Sequence, residues 1–361
     1  MLMNHPSHQA ALKAIAAALL MVPAFLAAES TPPTGATRHI ILFLTEDQSP
    51  HLGCLGTKGL DTPHLDNLGT SGVIFARAFS LSPVCSPSKM ALFTGTYPHT
   101  NGGICNVRNY GTDFPLKGDP SDLSLGGVRE NLPTLIEILR TRGWHTAISS
   151  KTHVQPIRKF PYHQGFPNPK GGLLADGGVT HVDPKSIDVP ASLPDVPGVR
   201  QDFADYYGAI ESFDLIYAAA RDSLAEHGLL DRSLVVFTSD HGIGLHRFKQ
   251  SIYGLHVPLL IDGPGIRGGR RIKAPISHLD LAPTFLEFAG IDIPPSMLEK
   301  SLLSALAGAP DIPGAPDIPG RRIFPGGGRF SPPAMKNTTR ALSAMDVIIS
   351  YTTSARSPEP V

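Results

Sequence analysis

The sequence predicts an α/β protein built on a largely parallel central sheet, and three observations carry that expectation. Two apolar runs, "HIILFLTED" (39–47) and "SLVVFTSDHG" (233–242), are continuous rather than alternating, as in strands covered on both faces. Segments with helix-period apolar positions separate such runs, which is the alternation expected of α/β units. Beyond the N-terminal segment, roughly 330 residues remain, enough for one large α/β domain or two smaller ones with a substantial core.

Along the chain, residues 1–28 place Lys13 before an apolar run that ends in small residues, the layout of a secretory signal peptide. The run from Ala14 to Ala28 is shorter than the ~20 residues that span a bilayer, so the expectation is an exported protein, periplasmic or extracellular, with no stable membrane span. "TPHLDNLGTSG" reads as a short helix and "VIFARAF" as one strand. "VCSPSKMALFTG" places Cys85 at the mouth of a further helix, and "NLPTLIEILRTRG" is a helix with Asn131 as cap and Gly143 as stop. "WHTAISS" is a strand that leads to Lys151 and His153. The Gly- and Pro-rich stretch from Lys159 to Pro197 is a long surface segment. The segment from Gln201 to Gly228 keeps helix-period apolar positions over about seven turns. "HVPLLIDGPG" is a strand and "HLDLAPTFLEFAG" a helix. "GAPDIPGAPDIPG" (308–320) is a Pro/Gly repeat that serves as a linker, and the tail at 321–361 is too short for a domain of its own.

Lys plus Arg balance Asp plus Glu at 31 each, which argues against a nucleic-acid partner. Cys54, Cys85 and Cys105 are an odd number for an oxidising compartment. Whether Cys54 and Cys105 are bonded or free stays open.

In open α/β sheets, sites form beyond the carboxyl ends of the strands. Here two strands end in acids, Glu46-Asp47 and Asp240-His241, and together these offer three carboxylates and an imidazole. Hard oxygen donors of this kind suit Ca²⁺ or Mg²⁺. Either pair alone is as well explained by helix capping.

Taken together, "ILFLTEDQSPHLGCLG", "TPHLDNLGTSGVIFARAFSLSPVCSPSKMALFTGTYPHTNG", "KTH" and "VVFTSDHG…FKQSIYGLHVPLLI" resemble, in order, a sulfatase of the alkaline-phosphatase superfamily, close to bacterial sulfamidase-like and arylsulfatase-like members. The resemblance implies an alkaline-phosphatase-like three-layer sandwich over 38–300, with an internal deletion near 160–185 and a truncated C-terminal subdomain. It implies that Cys85 is oxidised to formylglycine by a formylglycine-generating enzyme. The hydrate of that aldehyde attacks sulfur with one hydroxyl and expels sulfate through the other. Glu46, Asp47, Asp240 and His241 would bind Ca²⁺, or Mg²⁺, together with the residue-85 oxygen. Lys151 and Lys249 would grip sulfate oxygens, His153 would assist proton transfer, and Lys89 would support the aldehyde. The implied function is hydrolysis of a sulfate ester or sulfamate, with a sulfated small molecule or glycan as substrate.

Three departures stand against the family pattern. Lys89 occupies the arginine position of Cys-x-Pro-x-Arg, and one ammonium does not reproduce a bidentate fork. Glu46 replaces the commoner aspartate. An inner strand ending in a His-Asp-Pro-His type motif is missing, which predicts open strand edges. Two other functions remain on the table: an inactive sulfatase-like remnant or binding protein, and a related phosphodiester or phosphonate hydrolase.

Overall fold

The computed structural model describes residues 38–107, 126–149, 152–166, 181–243 and 251–309, and the strand at 345–352. The elements are β1 (His39–Thr45), α1 (Pro63–Ser71), β2 (Val73–Phe75), β3 (Ala78–Phe79), α2 (Cys85–Thr94), α3 (Pro98–Asn101), α4 (Leu135–Thr141), β4 (Trp144–Ser149), β5 (Gln164–Phe166), α5 (Pro197–Glu226), β6 (Ser233–Ser239), β7 (His256–Val257), β8 (Leu259–Asp262), β9 (Arg270–Ile272), β10 (Ile276–Ser277), α6 (Leu281–Phe288), α7 (Leu303–Leu306) and β11 (Met345–Thr352).

Period-two geometry along β1 divides its side chains between two cores. Ile40, Leu42 and Leu44 pack with Met90, Leu92 and Phe93 of α2, Leu135, Ile136 and Leu139 of α4 and Phe285 of α6. Ile41 and Phe43 pack with Leu65 and Leu68 of α1 and with Phe203, Ile210, Phe213 and Tyr217 of α5. Helices thus cover both faces, which is why β1 and β6 carry continuous apolar runs, Ile40–Leu44 and Leu234–Phe237, and the three-layer α/β sandwich follows. The eight-stranded sheet runs β5-β4-β11-β1-β6-β8-β2-β9. It is mixed: β1–β6, β2–β9 and β4–β5 are parallel, whereas β11 and β8 run antiparallel to their neighbours. A small second sheet runs β10-β3-β7.

Several elements differ from the sequence expectation for local reasons. "VIFARAF" is two strands in two sheets, β2 and β3, broken by a turn at 76–77. Pro258, which has no N–H to donate, likewise separates β7 from β8. The cap of α4 is Thr134 and not Asn131, because Thr134 and Glu137 form a reciprocal capping box: Glu137 N–H donates to Thr134 Oγ1 at 3.2 Å and Thr134 N–H to Glu137 Oε2 at 2.9 Å. Helix α5 begins at Pro197, earlier than its apolar pattern suggests, since proline is tolerated in a first turn.

The tail supplies an inner strand. β11 pairs antiparallel with β1 (His39↔Tyr351 through Thr45↔Met345) and, on its other side, with β4 (Val347↔Ser149). Where a lost strand would leave open edges, β11 is hydrogen-bonded on both sides. The signal-peptide segment 1–28 and most of the 308–320 linker lie outside the described residues, as do residues 167–180 of the deletion region. No helix among the described residues is long and apolar enough to cross a membrane.

Candidate active site

The in-register parallel pairing of β1 with β6 (Thr45↔Ser239) puts Glu46-Asp47 and Asp240-His241 at the same level beyond the sheet. Hydrogen bonds lock the two turns together. Asp240 N–H donates to Thr45 O at 2.8 Å, Gln48 N–H to Ser239 Oγ at 3.0 Å, and Asp47 N–H to Asp240 Oδ1 at 3.3 Å. Asp47 and His153 are the non-glycine residues with left-handed backbone among those described, at φ 55° and 49°. Strain of this kind persists only where the surroundings hold it, and both residues belong to the sequence-predicted site.

Helix α2 delivers Cys85 from the opposite side. Its first residue is Cys85, whose Sγ lies 3.2 Å from His241 Nε2. Ser88, one turn along, donates to the carbonyl of Asp240 and fastens the helix to β6. His241 Nδ1 donates to Gly242 O at 2.9 Å and lies 3.3 Å from Asp47 Oδ1. That bond assigns the proton to Nδ1 and leaves the Nε2 lone pair facing Cys85. Gly242 is required here, because a Cβ would come 1.7 Å from Tyr253 O.

Lys89 is fully buried, and its Nζ donates to Glu46 Oε1 at 3.0 Å. The two sequence departures therefore meet: the longer acid and the single ammonium are ion-paired. Asp240 is buried, and burial pushes its carboxyl above the usual range; Glu46 and Asp47 push the same way, while His241 and Lys89 oppose. Its Oδ2 has no hydrogen-bond partner among the described residues. A buried carboxylate oxygen without a donor is a fitting cation ligand. Cys85, Asp240 and His241 bring ligand atoms within 4.8 Å of one another, so the donor set fits a divalent ion.

His153 is buried and its Nε2 donates to Val107 O at 2.9 Å; Val107 N–H in turn donates to Ser86 Oγ in the first turn of α2. Lys151 and Lys249 lie outside the described residues. No disulfide joins Cys54, Cys85 and Cys105 among the described residues.

The sequence reading missed Ser49 and Tyr206. Ser49 Oγ donates to Tyr253 O at 2.8 Å and accepts from Ile243 N–H at 2.9 Å, so one hydroxyl ties the β1 turn to the segment after His241. Ser49 N–H donates to Tyr206 OH at 3.0 Å, and Tyr206 OH is hydrogen-bonded to His51 Nδ1 at 3.2 Å. Tyr206 sits on a long helix whose apolar period gives no hint of a site contact. Ser49 falls within the acid-pair motif and carried that signal only by position.

Buried histidines near the site predict a pH response. Burial lowers His51 to about 4, aided by His256, and lowers His278 to about 3, aided by His241. Both then stay neutral in the fold, whereas the unfolded chain takes up protons below about 6.5. Stability is therefore fully present above that value and is lost as pH falls. Between pH 7 and 5 each histidine accounts for a loss of about 2 kcal/mol. Asp214, raised to about 6 by burial, and Asp240, raised likewise, act in the opposite direction over this window. His39, lowered to about 4 by burial, adds to the loss, and the expected outcome is a net fall in stability from pH 7 to 5, read from urea midpoints at the two pH values in chelator. Stability that is flat or rises toward pH 5 would contradict it.

Comparison with known proteins gives a family match. The model of the Sulfatase family matches residues 38–176 and 176–291. An ulvan-active sulfatase of Formosa agariphila is 27% identical over 308 residues, covering 75% of this chain and 58% of that protein. The N-sulphoglucosamine sulphohydrolase of Homo sapiens is 25% identical, covering 71% of this chain and 62% of its own length. The chain thus spans less than two thirds of these relatives. An extracellular sulfatase homologue of Drosophila melanogaster is 25% identical over 350 residues, covering 74% of this chain and 31% of its own length. Among solved structures, Ps i-CgsB in complex with a neocarrahexaose superposes with a TM-score of 0.55 at 21% identity, covering 75% of this chain and 76% of that one. A phosphonate monoester hydrolase from Silicibacter pomeroyi reaches 0.54 at 19%, covering 74% and 76%. At these identities the structural likeness speaks for the fold.

Proposed function

Since the chain belongs to the sulfatase family, we propose that it is an exported sulfuric ester hydrolase that cleaves a sulfate ester or sulfamate of a sulfated glycan. One observation carries this: the acid pairs of β1 and β6 converge on Cys85 at the head of α2, with Sγ 3.2 Å from His241 Nε2. Support for a glycan comes from the ulvan-active relative, and export from the leader-like N-terminus.

Asp47, Asp240 and His241 would hold a Ca²⁺ or Mg²⁺ ion, with Glu46 beside them. Such an ion supplies charge stabilisation at the sulfate oxygens and lowers the pKa of a bound hydroxyl. Formylglycine at position 85, installed by a formylglycine-generating enzyme, supplies a geminal diol able to attack sulfur and release sulfate. The remaining work belongs to side chains. The Gly242 carbonyl keeps the proton on His241 Nδ1, so Nε2 presents a lone pair toward residue 85. Lys89 balances the charge of Glu46 inside a water-excluded site. The Val107 carbonyl fixes the His153 ring, whose proposed role is to move a proton. Lys151 and Lys249 are proposed to bind sulfate oxygens as point charges.

The test is co-expression with a formylglycine-generating enzyme, mass spectrometry of the tryptic peptide Ala78–Lys89, and sulfate release from sulfated oligosaccharides with added Ca²⁺. Aldehyde at residue 85, together with sulfate release that Asp240→Asn abolishes, is the expected result. Thiol alone, where a control sulfatase is converted, would remove the nucleophile and leave the inactive reading. Faster turnover of phosphonate monoesters than of sulfate esters would reassign the reaction.

A further inference from the structure

The donors at the head of the sheet are hard or soft according to what residue 85 presents. With Cys85 as a thiol, the described ligand atoms are one sulfur, one imidazole nitrogen and carboxylate oxygens of Asp240 and Asp47. Glu46 is engaged by Lys89. Ca²⁺ takes six to eight oxygens, and this set offers too few; sulfur, nitrogen and carboxylate oxygen together are a zinc set, as in sites with three protein ligands and an open fourth position.

We infer that the chain carrying unmodified Cys85 captures Zn²⁺ through Cys85 Sγ, His241 Nε2 and a carboxylate oxygen of Asp240. Four features prepare the site. His241 donates from Nδ1 to the Gly242 carbonyl, so Nε2 is the nitrogen with a lone pair to give, and backbone oxygens hold zinc-bound histidines in the same way. Sγ and Nε2 are 3.2 Å apart, near the edge of about 3.6 Å that a tetrahedral zinc site with ordinary Zn–S and Zn–N bonds would have. Asp240 Oδ2 is buried and without a hydrogen-bond donor, while Oδ1 is held by the amides of His241 and Asp47. Cys85 is itself almost enclosed, at 8% exposure, so the ion would replace the thiol-to-imidazole hydrogen bond without exposing either group. On coordination the thiol gives up its proton to solvent and the sulfur binds as thiolate. Cys54 does not substitute: it lies outside this cluster, with its amide on Asp66 Oδ1 of α1 at 2.7 Å.

The zinc site does not depend on sulfatase turnover and makes conversion and metal capture alternative fates of one cysteine. It is tested on the full chain produced without a formylglycine-generating enzyme, stripped with chelator and loaded with Zn²⁺ or Co²⁺. Expected are one equivalent of Zn²⁺ retained through desalting in millimolar Ca²⁺, and a sulfur-to-metal charge-transfer band in the Co²⁺ form. Cys85→Ser should lose the band and weaken Zn²⁺ binding at least tenfold, whereas the Cys54→Ser/Cys105→Ser double variant should keep both. A Co²⁺ form with no such band, a band that survives Cys85→Ser, or Zn²⁺ displaced by millimolar Ca²⁺ would overturn the assignment. Any of those outcomes leaves the sulfatase reading intact, and failure of Cys85 to convert leaves the zinc site intact.

Discussion

Replacing Lys89 with methionine is expected to destabilise the metal-free protein by about 3–5 kcal/mol, because a buried carboxylate would lose the cation beside it. Lys89 is fully enclosed, and Glu46, 5% exposed, has little access to water as a substitute. Methionine keeps most of the volume and flexibility of the side chain, so packing alone predicts a much smaller loss. The double variant Lys89→Met/Glu46→Gln should recover most of the stability, since removing both charges removes the desolvation that the pair offsets. Urea midpoints of the four proteins of this cycle, all measured in chelator, decide the matter. A double variant no more stable than Lys89→Met would mean that the pair is not the unit that matters.

Deleting β11, by ending the chain at residue 344, is expected to have the largest effect. Its backbone pairs with β1 along seven residues and with β4 along six. Removal would leave two inner strands with unsatisfied N–H and C=O groups in a region covered by helices on both sides, and would open an edge suited to aggregation. The shortened chain should fail to give a cooperative unfolding transition and should be recovered largely insoluble. A gentler probe is Ile348→Pro, opposite Leu42 on one side and Ile148 on the other, because proline cannot donate within an inner strand. A soluble deletion variant with an unchanged melting temperature would show that β11 does not belong in the sheet.

What could be read from the sequence divides along physical lines. The two strands that end in acids were legible, since a strand buried on both faces is continuous in apolar residues and its end is marked by the first charges. Cys85 at the start of α2 was legible for the same local reason. The contact between Lys89 and Glu46 was not: each is an isolated departure from a pattern, and only the packing of α2 against the end of β1 shows that they meet. The cap of α4 turned on a choice between Asn131 and Thr134 that the Thr-x-x-Glu spacing could have settled. The run from Met345 to Thr352 carries a strand signal, but nothing within it says that it lies between β1 and β4. Partners of a strand are set by the faces and edges left open elsewhere, and those are properties of the assembled sheet.

The position of β11 also says something about the order in which the molecule can be made. β1 and β11 are the first and last described strands, and their pairing joins residues about 300 positions apart, a loop closure whose entropy must be met before any ladder bond rewards it. During synthesis the middle of the sheet therefore remains open until residues 345–352 leave the ribosome. Until then β1 and β6 can pair and set the acid turns side by side, while β4 and α4 must wait for a strand made much later in the chain. Folding should accordingly be slow, and the β1 edge left exposed until β11 arrives is the natural target for chaperones.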